Sequence, residues 1–269
     1  MKILIIGGCG YIGSALYRHL QQAHDVDSMD LELRGNAGIE VNEPINYSWA
    51  YRFDRWDAVI VMAGHSSVKA ASAAPYQAFG NNLVNLVDLT QRLAGQMLIY
   101  ASSAAVYADP LGQASNIYDV AKRAADQIVP MLYPQSWGLR FGTVGGPSPN
   151  LRLDTVVNAM VHDALKKGVI SVSNPDIARP ILGMGDLLRG VEMILDYKVP
   201  PGPQDMCSTT KTIHQIANMI ADLVGARVEF GPDSPAYDFR MSPADWLQPT
   251  QSLDDIVRSV IGHFRGEMR

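Results

Sequence analysis

The opening stretch, MKILIIGGCGYIGSALYRHL, limits the possible folds more than any other part of the chain. A short apolar run, KILIIG, breaks into glycines and passes directly into the amphipathic SALYRHLQQ. Apolar runs of this length bounded by glycine read as buried strands, and the stretch behind them has the period of a helix. A strand that feeds a helix through a tight loop belongs to a parallel sheet, because parallel strands need long crossovers, usually helical.

The rest of the first half repeats this rhythm. VDSM, DAVIVMAG, MLIYASS and WGLRF read as strands, and NLVNLVDLTQRL and VAKRAADQIVPML read as the helices between them. Buried strands separated by helix-length segments predict an α/β fold, a doubly wound parallel sheet covered on both faces. After GGPSPN the pattern changes to the helices TVVNAMVHDALKKG, MGDLLRGVEMIL, TIHQIANMIADLVG and LDDIVRSVIGHF, with a strand at VISVS. The Pro and Gly clusters at 145–150 and 199–203 mark the joints. The expected division is a nucleotide-binding domain over 1–148, with later segments returning to it, and a smaller substrate-binding region over 149–269.

At 269 residues the chain has room for a sizeable core. Its net charge of -5 supplies no attraction for nucleic acid or an anionic membrane, so small molecules are the expected partners. Two cysteines, Cys9 and Cys207, are too few for a disulfide framework. They form no metal cluster with the scattered histidines, so no metal is expected. A reducing, cytoplasmic location follows. No run approaches the ~18 to 20 apolar residues of a membrane span, and the N-terminal run is too short for a signal peptide.

Gly7, Gly10 and Gly13 lie between the first strand and the first helix, with Tyr11 and Ile12 in the same loop. There the glycines would supply a tight turn, a close approach of backbone to a pyrophosphate, and close packing of helix on strand. The helix N-terminus adds N–H groups and a positive dipole end. A dinucleotide site also needs an acid about 20 positions on to hold the ribose hydroxyls, and Asp30 stands there. Its carboxylate would repel a 2′-phosphate, favouring NAD over NADP. Arg34 is the counter-argument, because an arginine can accommodate that phosphate, and a solvated loop acid is the other reading of Asp30. Cys9 reads as a packing residue within the loop.

YDVAK places Tyr118 and Lys122 four apart, on one face of a predicted helix. An ammonium beside a phenol favours the phenolate, so the pair could move a proton on and off a hydroxyl. An ordinary amphipathic surface helix would show the same spacing. Ser102 and Ser103 end a predicted buried strand, where open α/β sheets bind ligands. Ser103 could hydrogen-bond the reacting oxygen there, or both serines could satisfy local backbone.

GGCGYIGS, Asp30, VIVMAGHSSV, NNLVNLVDL, YASSAAVY, YDVAK, LRFGTVGGPSP and ARPILGMGD, in this order, resemble the extended short-chain dehydrogenase/reductase family. More narrowly, they resemble its NAD-dependent epimerase/dehydratase group acting on nucleotide sugars. The resemblance implies a Rossmann-type domain and a small C-terminal domain that grips a nucleoside diphosphate. It implies Ser103, Tyr118 and Lys122 as the catalytic triad, with Gly7, Gly10, Tyr11, Ile12, Gly13, Asp30, Ala63, Gly64, Lys122 and Val144 at the cofactor. Substrate contacts would come from Ser67, Asn82, Thr143, Asn158, Arg179 and Arg240, Asn82 also supporting active-site backbone. Thr143 departs from an asparagine common in the family, and a homodimer is also implied.

Family members that remove water across a sugar ring resemble one another in an Asp-Glu pair after the serine, and decarboxylating members carry a glutamate. This chain has Ala104 and Ala105 instead. The expected reaction is therefore epimerisation of a nucleotide-activated sugar through transient oxidation, with Tyr118 as acid and base. A nucleotide keto-sugar reductase using NAD(P)H and a non-catalytic dinucleotide sensor or scaffold are the alternatives.

Overall fold

The computed structural model of the chain describes residues 1–31, 43–44, 52–107, 116–233 and 238–266. Its strands are β1 (Lys2–Ile6), β2 (Asp25–Asp30), β3 (Glu43–Pro44), β4 (Ala58–Val61), β5 (Met97–Ser103), β6 (Ser136–Phe141), β7 (Thr143–Gly145), β8 (Val169–Val172), β9 (Ala178–Gly183), β10 (Gly202–Met206), β11 (Thr209–Thr212) and β12 (Arg227–Phe230). Its α-helices are α1 (Tyr11–Leu20), α2 (Val68–Ala73), α3 (Pro75–Phe79), α4 (Asn85–Thr90), α5 (Ile117–Leu132), α6 (Val156–Lys167), α7 (Met184–Leu195), α8 (Ile213–Val224) and α9 (Leu253–Arg265). The chain divides into two compact units: Met1–Arg140 with Ser148–Asn150 and Val191–Gln204, and Phe141–Pro147 with Leu151–Gly190 and Asp205–Arg269.

The first unit is built on a sheet of order β10-β6-β5-β4-β1-β2-β3. The ladders joining β3, β2, β1, β4 and β5 are all parallel. This is the expected doubly wound α/β sheet. Its order reverses between β1 and β4, the place where such sheets open a crevice at the carboxyl ends of the strands. Ile3 to Ile6 and Ala58 to Val61 are buried along their whole length, as strands covered on both faces must be. One core joins Leu4, Ile6, Val59, Leu98 and Tyr100 of the sheet to Leu86 and Leu89 of α4 and to Ala121, Ala125 and Val129 of α5.

NLVNLVDLTQRL reads as one helix, and the structure divides that region. A π-helical turn at Gly80–Val84 separates α3 from α4 and buries Asn82 and Leu83. Such widened turns carry an extra residue per turn and are frequent at functional sites.

The second unit holds a three-stranded sheet of order β11-β9-β7 and a two-stranded sheet of β12 and β8. Val157 and Val161 of α6, Ile216 and Ile220 of α8, and Ile256, Val257 and Val260 of α9 form its core with Ile170, Val172 and Ile181. Both α8 and α9 begin in capping boxes, Thr212 with Gln215 and Ser252 with Asp255. Each box satisfies two otherwise unbonded donors. Pro180 is tolerated because the β7 ladder on β9 begins only at Ile181.

Candidate functional site

The glycine loop is closed by steric necessity. Gly7 has φ of +92°, and a Cβ there would stand 2.5 Å from the amide nitrogen of Ala63, just beyond β4. A Cβ on Gly13 would stand 2.0 Å from the Gly7 carbonyl oxygen. The first and third glycines therefore let β1, α1 and the end of β4 meet. Gly10 is the N-cap of α1 and offers no side-chain cap, so the helix entrance keeps its backbone donors. Gly8 went unnoticed in the sequence, yet a Cβ there would stand 2.0 Å from the Ser28 hydroxyl oxygen on β2. Tyr11 and Ile12 form the first turn of α1.

Asp30 ends β2 beside this loop. Its Oδ2 accepts from the Cys9 amide at 2.8 Å and its Oδ1 from the Leu31 amide at 2.7 Å. Cys9 is buried, in keeping with a packing role. Arg34, the residue weighed against an NAD preference, lies outside the described residues.

A second set of contacts, not legible in the sequence, holds the loop from Ser148–Asn150. The Ser148 hydroxyl donates to the Tyr11 carbonyl at 2.6 Å and lies 2.9 Å from the Ser14 hydroxyl. The Asn150 amide group donates to the Cys9 carbonyl at 2.7 Å. GGPSPN is thus a joint that also clamps the glycine loop.

Tyr118 and Lys122 occupy the same face of α5, and the Lys122 Nζ lies 5.8 Å from the Tyr118 ring centroid. Lys122 is 6% exposed and its Nζ donates to the Ala101 carbonyl at 2.6 Å, which fixes the ammonium against the end of β5. Burial pushes this lysine down to about 8, and the Asp126 carboxylate acts in the opposite direction. An ammonium has three donors, so two remain to serve a neighbour. Ser103, two residues past Ala101, ends β5, and its Oγ accepts the Ala105 amide at 3.1 Å. Ser102 is buried.

Ala63 and Gly64 follow β4. A Cβ on Gly64 would stand 2.3 Å from Oδ1 of Asn82. The Asn82 Nδ2 donates to the His65 carbonyl at 3.1 Å, so this buried asparagine braces the backbone beyond β4. Ser67 caps α2 by accepting the Ala70 amide at 3.1 Å.

The remaining candidates lie in the second unit. Thr143 and Val144 begin β7 and pair with Ile181 and Leu182 of β9. Both ends of the Asn158 amide are committed locally, Oδ1 to the Gly146 amide at 3.2 Å and Nδ2 to the Arg152 carbonyl at 2.9 Å. Arg179 donates to the Ala178 carbonyl at 2.8 Å and its guanidinium lies 5.4 Å from the Phe239 ring. Arg240 is exposed. Among the described residues no cluster of three or more His, Cys, Asp or Glu is placed to hold a metal, and no helix is long and apolar enough to cross a membrane.

Residues 3–206 match the model of the NAD dependent epimerase/dehydratase family. A UDP-glucose 4-epimerase of Lactobacillus helveticus is 30% identical over an alignment of 104 residues that covers 35% of this chain. The chain spans 32% of the length of that curated relative. Among solved structures, MoeE5 in complex with UDP-glucose and NAD is 17% identical with a TM-score of 0.83, all of both chains being covered. The UDP-glucose 4-epimerase of Thermus thermophilus, in complex with NAD, is 21% identical with a TM-score of 0.82 over all of both chains. RMD from Pseudomonas aeruginosa complexed with NADPH is 19% identical with a TM-score of 0.76 over 99% of each. Similarity at these identities establishes a shared Rossmann-type fold.

Proposed function

The chain belongs to the NAD dependent epimerase/dehydratase family, and from that premise we propose that it is an NAD-dependent epimerase of a nucleotide-activated sugar. The observation that carries the proposal is the Tyr118–Lys122 pair, with Lys122 buried and held by Ala101 at the strand ends, beside Ala104 and Ala105 where a second acid would otherwise stand.

The glycine cradle fits NAD. Gly7 and Gly13 let the loop, α1 and the end of β4 close together where a Cβ would strike backbone, the α1 entrance behind Gly10 would present N–H groups to a pyrophosphate, and Asp30 would accept from the adenosine ribose. Ala63 and Gly64 would border the same group, with Val144 at its nicotinamide end. A bound NAD would supply reversible hydride transfer at the sugar carbon. The chain's own residues handle the proton. Tyr118 takes it from the sugar hydroxyl and gives it back, the Lys122 ammonium favours the ionised phenol, and Ser103 orients the oxygen. A transient keto sugar that turns over before reduction yields the epimer.

In this reading Ser67, Asn82, Thr143, Asn158, Arg179 and Arg240 serve the substrate, the two guanidinium groups suiting a diphosphate. Asn82 and the buried Asn158 would act by bracing backbone rather than by touching the sugar. Relatives of this fold complexed with UDP-glucose and NAD support both ligand classes. The similarity to RMD complexed with NADPH keeps a keto-sugar reductase as the second reading.

The test is mass spectrometry of small molecules released from the purified, denatured protein, followed by incubation with UDP-glucose and other nucleotide sugars. Released or bindable NAD and interconversion of epimers are expected. Protein that neither carries nor binds NAD and interconverts no epimers ends this reading. Steady consumption of reduced cofactor with a 4-keto sugar selects the reductase.

A further inference from the structure

Tyr118, Lys122 and Asp126 stand at successive turns on one face of α5. Asp126 is 7% exposed, and its Oδ2 accepts from Nε of Arg140 on β6 at 2.7 Å. Nη1 of the same arginine donates to the Tyr107 hydroxyl at 2.6 Å. Tyr107 closes the 3-10 turn Ala104–Tyr107 that follows Ser103. That turn is tied to α5 a second time, through Nε of Arg123 and the Val106 carbonyl at 3.1 Å. Gly138 of β6 makes the room: a Cβ there would stand 2.4 Å from the Tyr100 hydroxyl and 2.9 Å from Oδ1 of Asp126.

A buried ion pair of this kind is weak evidence for stability, because desolvation offsets much of the attraction. Its location gives it another use. Resting on the reading of Tyr118 and Lys122 as the acid–base pair, we propose that Asp126, with Arg140 as its counter-ion, is a positioning residue that keeps Lys122 an ammonium and anchors the turn after Ser103.

The ionisable side chains around Lys122 are consistent with that role. On the strand side of α5 they are Tyr100, Arg140 and Tyr107, and on α5 itself Tyr118, Asp119 and Asp126. The other helices packed on α5 bring Lys69 and Tyr76, which are exposed, and the partly exposed Asp88. Burial drives Lys122 toward its neutral form, and Asp126 is the charge that resists it. Asp126 is in turn raised by burial and held down chiefly by Arg140. Arg140 thus keeps the carboxylate ionised, and the carboxylate keeps the lysine ionised.

The test titrates the full chain labelled with heavy-isotope lysine and follows the Lys122 side-chain resonance by NMR, assigned with Lys122→Met. No substrate or cofactor is needed. The wild-type midpoint is expected at about 8. Asp126→Asn lowers it by about one unit or more, and Asp126→Glu restores it. Arg140→Gln lowers it as well, because the carboxylate that loses its counter-ion is protonated more readily. Asp126→Asn/Arg140→Gln, which leaves neither buried charge unpaired, titrates like Asp126→Asn, because Arg140 acts through the carboxylate. With UDP-glucose as the probe, kcat of Asp126→Asn declines more at alkaline pH than at neutrality while KM changes little. A Lys122 midpoint that Asp126→Asn leaves in place, or that Arg140→Gln raises, overturns the proposal even if turnover is normal. Absence of turnover in the wild type counts against the epimerase reading and leaves the Lys122 midpoint to decide this one.

Discussion

The Cys9 amide donates to Oδ2 of Asp30 at 2.8 Å, making the acid at the end of β2 and the glycine loop one hydrogen-bonded piece. Loop shape and, in the proposed function, cofactor choice therefore share a residue. A substitution that changes one need not change the other, because an amide oxygen can still accept from the Cys9 amide without the carboxylate's charge, the Leu31 contact being the one given up.

Asp30→Asn is expected to keep the loop in place while removing the repulsion toward a 2′-phosphate. Asp30→Ala removes both. Loss of a hydrogen bond to a charged group costs about 1.5 to 3 kcal/mol, so NAD affinity should fall roughly tenfold or more in Asp30→Ala. The ratio of NADP to NAD affinity should rise in both variants. Calorimetric titration of each protein with the two nucleotides measures this, and an unchanged ratio removes Asp30 from cofactor selection.

Ser148 and Asn150 make a separable prediction. Both side chains donate to carbonyls of the glycine loop, at 2.6 Å to Tyr11 and 2.7 Å to Cys9. Ser148→Ala removes one donor to the Tyr11 carbonyl and one partner of the buried Ser14 hydroxyl, which keeps its own bond to Tyr11 at 3.3 Å, at a cost of about 0.5 to 1.5 kcal/mol. The urea midpoint should fall, and NAD affinity should weaken with it because the same contacts shape the pyrophosphate cradle. Asn150→Ala should do likewise. A fall in stability with NAD affinity unchanged would confine this clamp to folding.

What was legible in the sequence depended on how far apart the interacting residues lie. The strand, loop and helix of residues 2–20 are contiguous, and their pattern announced both the sheet and the glycine cradle. Tyr118 and Lys122 sit one helical turn apart, so periodicity brought them together. Asp126 continues the same face by one more turn and could have been found in the same way. Its partner Arg140 lies on another element, and the Ser148 and Asn150 contacts join residues 137 and 141 positions apart. No local pattern encodes those. The helix reading of residues 82–93 missed the π-helical turn because the burial of Asn82 against Gly64 depends on tertiary contacts, which override propensity.

Asp186 predicts how the second unit responds to acid. Its side chain is wholly buried. Burial alone would raise its carboxyl, but the Thr250 amide, the Ser208 and Thr250 hydroxyls and Arg189 together hold it below the usual carboxylate value. A depressed folded value means stability that is present above the unfolded value of about 3.9 and lost as pH falls through the folded one. Asp186→Asn should therefore destabilise the protein at pH 7, by about 2 to 4 kcal/mol for a broken buried network. The difference from wild type should shrink as the pH drops below about 4. Thermal melts at neutral and acid pH compare the two, and a gap independent of pH would assign the effect to packing.

Lys122 is shifted in the same direction but is destabilising, because the form that burial disfavours is its charged one. Its folded value of about 8 lies below the ordinary lysine value of 10.5, mainly through burial. The folded state then binds fewer protons than the unfolded state between those values, so this group's contribution to stability rises with pH across that window and is least favourable below about 8. Lys122→Met removes a buried charge that the proposed chemistry requires but folding does not. The variant should gain stability at pH 7, by up to about 3 kcal/mol less the lost bond to Ala101, while losing epimerase turnover. Between about pH 8 and 10.5 its advantage over wild type should shrink toward zero. Denaturant titrations at neutral pH and near pH 10 measure the two differences. If Lys122→Met is less stable than wild type at both, the lysine is a structural post at the end of β5, and the buried ammonium needs no catalytic explanation.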